Sequence, residues 1–580
     1  MPEQKRCNSC GEINNADALR CSECGHILSS STALLPDDSA GIRVPLEKGR
    51  AVESAPPVNR LGRFVTTHKK TTGLITAVLI IVLVSILALT VIPPHRPKLT
   101  STLPPLPNGL GVVVAPNGEN VGVNDGQYPP FDIGPHRADS NLKQQAAQAL
   151  RDGDPERAKA LWSQGLEKDT NDAEALIYIQ NQNVIADNYV TLVLGMDFQQ
   201  PLPDTAAQST LQGAYIAQKE FNDSHNDIKL RLLIANTGGD KSYISPVVKQ
   251  IAQIAGQDAT IVGILGWQTS SRTENVLDSL RKIGTKIPIV SQKASSDNLK
   301  GVSPYFFRIV AQNNLEAQTA VLMANRLQAT QVVTVADLSD EFTQNLEQDF
   351  TQQFTSADPS HHVLAEETFT AGKMTTASFS AILHTALKNI RDTTHVVIFF
   401  VGAFTYDVEQ FQNALANFPN LSVISGDTGY VAQKNSYGRW YFVADAYHDE
   451  WSTLMKNAAP FFREYSETCD PNHQSPGKYG YDLPDDNAIV TYDAAKVLSQ
   501  GIDIARLKGK LTPQALTDAL TLINQSHPWQ GISGQIAFGS DHDPVDKALL
   551  ILKVNDDGYI QMVCVEGRFS NNSSSSLPKC

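Results

Sequence analysis

From residue 188 to 567 the chain alternates short apolar runs with longer amphipathic stretches. The short runs are YVTLVLGM (189–196), IKLRLLIA (228–235), TIVGILG (260–266), IPIVS (287–291), VVTVAD (332–337), VVIFFVG (396–402), SVISGD (422–427) and WYFVAD (440–445). They are rich in β-branched residues and are predicted as strands. Between them, stretches such as TLQGAYIAQKEFN (210–222), LEAQTAVLMANRLQA (315–329) and DVEQFQNALANF (407–418) repeat apolar residues at helical spacing. Strands apolar on both faces and separated by helices predict parallel sheets covered on both sides. A span of about 380 residues is large for one such sheet, so two α/β lobes are expected. Residues 139–187 predict three helices, broken at Gly153-Asp154-Pro155 and again at 169–172. The most apolar run of all, GLITAVLIIVLVSILALTVI (73–92), carries no charge and has no polar face.

As a helix this 20-residue run would reach about 30 Å, one hydrocarbon core, and residues 72–92 are read as a transmembrane helix. A signal peptide would have a shorter apolar core and would stand at the N-terminus. Arg60, Arg63, Lys69 and Lys70 precede the run and Arg96 and Lys98 follow it, which favours a cytoplasmic N-terminus and an extracytoplasmic C-terminal part. The seven cysteines divide in the same way: Cys7, Cys10, Cys21 and Cys24 fall on the reducing side, and Cys469, Cys564 and Cys580 on the side where disulfides persist. Whether Cys469 and Cys564 pair depends on geometry. The net charge of −14 argues against nucleic acid as a partner.

The N-terminal segment RCNSCGEINNADALRCSECGHIL sets two Cys-x-x-Cys knuckles ten residues apart. Four thiolates converging on one point suit tetrahedral zinc, and so short a segment has no core to fold without metal. Residues 1–27 resemble the short zinc-ribbon family, with Cys7, Cys10, Cys21 and Cys24 as the ligands of a structural zinc. Residues 28–71 read as a cytoplasmic linker and 93–136 as a Pro/Gly-rich linker. Residues 137–187 resemble one and a half tetratricopeptide repeats, with Ala158 and Trp162 matching the second helix. One repeat makes no solenoid, so its apolar face must pack either on the following domain or on a partner. Residues 568–580 are predicted to be a disordered tail.

In open α/β sheets, ligands sit beyond the carboxyl ends of the strands. Trp267-Gln268-Thr269-Ser270-Ser271 follows one predicted strand and Gln292-Lys293-Ala294-Ser295-Ser296-Asp297 the next. Hydroxyls and backbone N–H groups at helix starts suit a carboxylate, although each cluster alone reads equally as an N-cap. The stretch from GILGWQTSSRTENVL to SPYFFRIVAQNNLEAQTAVLMANRL resembles the type I periplasmic solute-binding fold, and within it the branched-chain amino-acid-binding proteins. GMDFQQPLPDTAAQSTLQGAYIAQKEFN, NAIVTYDAAKVLSQGI and GISGQIAFGSDHDPVDKALLILKVNDDG match further parts in the same order. The resemblance implies a two-lobed α/β domain over 188–567, joined by three crossovers and closing on a small molecule by hinge motion.

Carried over by position, the resemblance implies that Thr269, Ser270 and Ser271 hold a ligand carboxylate and that Ala294 and Ser295 hold carboxylate and ammonium. Glu341 and Phe404 would line the cleft from the second lobe. Asp427 lies one residue from the place where amino-acid binders put an acid for the ammonium. Trp267 departs from the family pattern and would stack on a ligand or narrow the pocket. Lys293 stands at a small-residue position and would point to an acidic ligand. No P-loop, Gly-x-Ser-x-Gly elbow or His-Glu-x-x-His motif is present, so no enzymatic activity is expected. The expected function is extracytoplasmic binding of a small polar solute, such as an amino acid or related metabolite, for an ABC permease. The alternative is a sensor that signals through a cytoplasmic partner of the zinc ribbon.

Overall fold

The computed structural model describes residues 4–6, 13–15, 105–134, 137–198, 205–430, 432–448, 454–455, 459–469, 471, 483–570 and 579–580. The apolar run 73–92 and all four N-terminal cysteines lie outside them. Near the N-terminus β1 (Gln4–Arg6) pairs antiparallel with β2 (Ile13–Asn15).

The rest is organised around two seven-stranded sheets. All eight strands expected from the apolar pattern are present. In the first lobe β5 (Tyr189–Met196), β6 (Lys229–Asn236), β7 (Ile261–Leu265), β8 (Ile289–Ser291) and β9 (Phe306–Arg308) are joined by parallel ladders. The second lobe sets β10 (Gln331–Asp337), β11 (His362–Phe369), β12 (Val396–Val401), β13 (Ser422–Ser425) and β14 (Trp440–Ala444) in parallel. It ends with antiparallel β17 (Leu549–Val554) and β18 (Ile560–Glu566). In the inner strands, positions alternate between two buried clusters in each lobe, which is why these runs are mostly apolar; the edge strand β11, HVLAEETF, is largely exposed or half-buried.

The segment read as a Pro/Gly-rich linker differs from that expectation. Residues 111–124 form a hairpin, β3 (Gly111–Val114) and β4 (Asn120–Asn124), and β4 adds antiparallel to β6. Asn236 Nδ2 donates to Asn120 O at 2.8 Å and fixes the junction. The first lobe therefore starts near residue 105, not 188.

Three helices follow: α1 (Ser140–Arg151), α2 (Pro155–Leu166) and α3 (Ala173–Val184). Asp154 caps α2 by accepting from Arg157 N at 3.0 Å, and Pro155 opens it. Of the two packing arrangements left open by the sequence, the helices adopt the first. Helix α3 lies on α4 (Thr205–Ser224) and β6, and Asn181 donates to Leu232 O at 2.7 Å and accepts from Leu232 N at 3.0 Å.

The C-terminal segment is also tied back where described. Lys579 bridges to Val565, and Cys580 is disulfide-bonded to Cys564, their Cα atoms 5.1 Å apart. Cys564 thus pairs with Cys580, and Cys469 is a buried thiol.

Candidate functional site

The chain passes between the lobes after β9, after β14 and after β16 (Gly534–Ile536). Two of these crossings are locked together. Arg308, with a fully buried side chain, meets Asp543 through Nε at 2.6 Å and Nη2 at 3.1 Å. Gln312 Nε2 reaches the same carboxylate at 2.6 Å. Arg308 Nη1 also donates to Ala294 O at 3.2 Å and Ser296 O at 2.7 Å, so the hinge fixes the loop after β8.

Helix α6 (Ser270–Ile283) starts directly beyond β7, with its N-terminus in the cleft. Gly266 makes this turn at φ +118°, where a Cβ would lie 2.1 Å from Gly195 O; only glycine fits. Thr269 stands at the N-cap position, is exposed, and makes no capping hydrogen bond. Ser270 Oγ accepts from Ser296 N at 3.0 Å and so joins the two hydroxyl-rich loops within one lobe. Ser271 Oγ crosses the cleft to donate to Asp340 Oδ2 at 2.6 Å, and accepts from Lys241 Nζ at 3.2 Å. Ser296 Oγ bonds Asn345 and Asn298 Nδ2 bonds Glu341, both residues on α8 (Glu341–Ala357) of the second lobe. The cleft is therefore in a closed state, with direct bonds across it.

Among the residues singled out by sequence, Thr269, Ser270 and Ser271 stand at the start of α6, Ser270 joins the loop after β8 through Ser296, and Ala294 and Ser295 of that loop are buried, Ala294 fully. Glu341 meets Asn298 of the loop after β8 rather than these hydroxyls, and Asp427 is buried against Lys293. Trp267 lies in the core of the first lobe. Its indole packs on Gly195 and its Nε1 donates to Met196 O at 3.1 Å, with its whole surface buried. Phe404 is the N-cap of α10 (Thr405–Ala414) and is 47% exposed. Lys293 is not a free cation awaiting an acid. Its ammonium meets Asp427 at 3.3 Å and contacts Asp486.

Sequence reading did not find Asp340, Asn345, Glu316, Asp445 or Asp486. The one local signal was Asp485-Asp486 at the start of the apolar helix α12 (Asp486–Leu507), where Asp485 accepts from Ala488 N at 2.9 Å. Glu316 accepts from Asp427 N at 3.1 Å. Burial, then the Asp427 charge, holds the Glu316 carboxyl well above the carboxylate range. Burial in the same cluster pushes Asp445 up to about 7 and Asp486 to about 6.

Two acid pairs also span the lobes. Burial, then the hydrogen bond to Asp297, pushes Asp349 up to about 7. Burial, then contact with Glu341, raises Glu274. On opening, these partners separate and the carboxyls return toward about 4. The closed form then holds more protons than the open one between about pH 4 and 7. Closure is strongest below that window and is lost as pH rises through it. Small-angle scattering should show a larger radius of gyration at pH 8 than at pH 5, and Asp349→Asn should flatten the difference. Expansion toward low pH would contradict this assignment.

Residues 201–559 match the family model described as periplasmic binding protein. No curated protein sequence matches the chain. Similar solved structures include a leucine-binding protein of Thermotoga maritima at 16% identity and TM-score 0.52, covering 65% of this chain and 99% of that one. The branched-chain amino acid transporter substrate-binding protein of Streptococcus pneumoniae, in complex with isoleucine, is 16% identical at TM-score 0.51, covering 66% and 99%. A solute-binding protein of an ABC transporter from R. palustris, in complex with benzoate, is 13% identical at TM-score 0.52, covering 68% and 99%. At these identities the likeness shows the fold.

Proposed function

The chain belongs to the periplasmic binding protein family, and on that premise we propose that it captures a small carboxylate-bearing solute, an amino acid or related metabolite, between its lobes. The observation that carries this reading is the N-terminus of α6. An exposed, uncapping Thr269 stands there beside Ser271, whose hydroxyl reaches the second lobe. A helix start with unpartnered N–H groups favours an anion. The lobes then close on what is bound, as hinge-joined domains do.

In this reading the domain is extracytoplasmic and tethered by the apolar run 73–92, and Cys7, Cys10, Cys21 and Cys24 hold a structural zinc on the other side of the membrane. The Cys564–Cys580 disulfide supports the oxidising side for the lobes. The solute is delivered to an ABC-type permease.

A thermal-shift screen of the full-length protein against carboxylate metabolites is the test. A ligand at 100 times its Kd should stabilise the fold by about 2.7 kcal/mol. Replacing both Thr269 and Ser271 by alanine should remove that shift, measured from the variant's own unliganded melting temperature, which the loss of the Ser271–Asp340 bond should lower. A shift that survives the double substitution would place the carboxylate elsewhere.

A further inference from the structure

The acidic end of the cleft already has a cation, and it belongs to the chain. Lys293 projects from the first-lobe loop after β8 and meets Asp427 of the second lobe at 3.3 Å while contacting Asp486 at the start of α12. Asp427 and Asp486 are each less than a tenth exposed, and Asp445 and Glu316 lie behind them with similar burial. Carboxylates this far from water need a positive partner or a proton. Lys293 supplies the charge to the first two. Glu316 and Asp445 are driven toward the protonated form by burial.

A solute ammonium placed against Asp427 and Asp486 would have to share their oxygens with the lysine ammonium already between them. Like charges a few ångströms apart in so dry a site repel strongly. No such conflict exists at the other end of the cleft, where Thr269 and the first N–H groups of α6 can take a carboxylate.

We propose that Lys293 is the specificity-determining residue of the cleft. Its ammonium fills the acidic end, so the solute accepted is a carboxylate without a neighbouring amine, such as a 2-oxo acid or an aromatic acid. This rests on the solute-binding reading above and narrows it. Lys293 thereby discriminates through a built-in repulsive element as well as through contacts.

The experiment compares matched pairs by calorimetry on the full-length protein: 4-methyl-2-oxopentanoate against leucine, and phenylpyruvate against phenylalanine, with benzoate as a further acid. Wild type should bind at least one of the acids and should disfavour the matched amino acid by about tenfold or more. Lys293→Ala should shift the ratio toward the amino acid by at least about tenfold. Lys293→Met, which keeps the length and removes the charge, should shift it in the same direction and guards against a folding defect in the alanine variant. Wild type that binds an amino acid as well as its oxo acid overturns the role of Lys293 and leaves solute binding standing. An unchanged ratio in both variants overturns it as well. No binding of any of these acids or amino acids overturns this inference together with the proposed function.

Discussion

Replacing Arg308 by alanine should cost about 3–5 kcal/mol of stability and should also weaken solute binding. The first effect follows from what is left behind. Asp543 is 3% exposed and is held by the Arg308 guanidinium and Gln312. Without the guanidinium a buried carboxylate keeps one amide donor. It must then take up a proton or draw in water at the junction of two lobe crossings.

The second effect follows from the other side of the same guanidinium, which holds Ala294 O and Ser296 O in the loop that lines the cleft. Losing both anchors loosens the loop that also carries Lys293 and Ser295. Lysine at 308 keeps the charge but not the two-pronged geometry, so Arg308→Lys should fall between wild type and alanine on both measures. Chemical denaturation reads the first effect and calorimetry the second. A variant within about 0.5 kcal/mol of wild type would mean that the hinge does not depend on this pair.

Local signals made the lobes legible, and long-range ones were invisible. Parallel strands covered on both faces are apolar at most positions, so 332–337 and 396–402 announce themselves without any partner being known. The hairpin at 111–124 does not, because GVVV and NVGVN are short and are set among Pro, Gly and Asn residues that read as a linker. The clustering of Thr269, Ser270, Ser271 and Ser295 at strand ends was visible for the same local reason. What faces them was not. Asp340, Asn345 and Asp486 lie 69, 49 and 193 residues from their cleft partners, and their type alone reads as helix capping or solvation. Trp267 shows the converse limit. The sequence places it just beyond a strand end, but only the fold turns its ring inward onto Gly195. Lys293 was visible as an unusual residue, but its partners Asp427 and Asp486, far along the chain, were not.

The three-helix segment of the first lobe should prove equally sensitive to a single charge. Lys143 has no exposed side-chain surface and meets Asp172 at 2.7 Å and Glu174 at 2.9 Å. Arg137 lies beside it, 3.2 Å from Asp169 and in contact with Asp132. Glu174 also accepts from Phe131 N at 2.8 Å, Asp132 N at 2.9 Å and the Tyr178 hydroxyl at 2.9 Å. Burial pushes the nearby Asp139 up to about 8, so it is mostly protonated at neutral pH.

Among the described residues, Arg137 and Lys143 pair with the buried carboxylates of Asp132, Asp169, Asp172 and Glu174. Lys143→Ala should therefore destabilise by about 3–5 kcal/mol, the cost of stranding buried carboxylates. Lys143→Met restores most of the lost volume and none of the charge. If the loss is electrostatic, methionine should be nearly as damaging as alanine; if it is packing, methionine should recover most of it. Adding Asp172→Asn to Lys143→Met removes one stranded charge and should return part of the loss, and the double-mutant cycle measures how much. Hydrogen exchange should locate the damage in α1 to α3 and in 125–134, because Glu174 is the link between them.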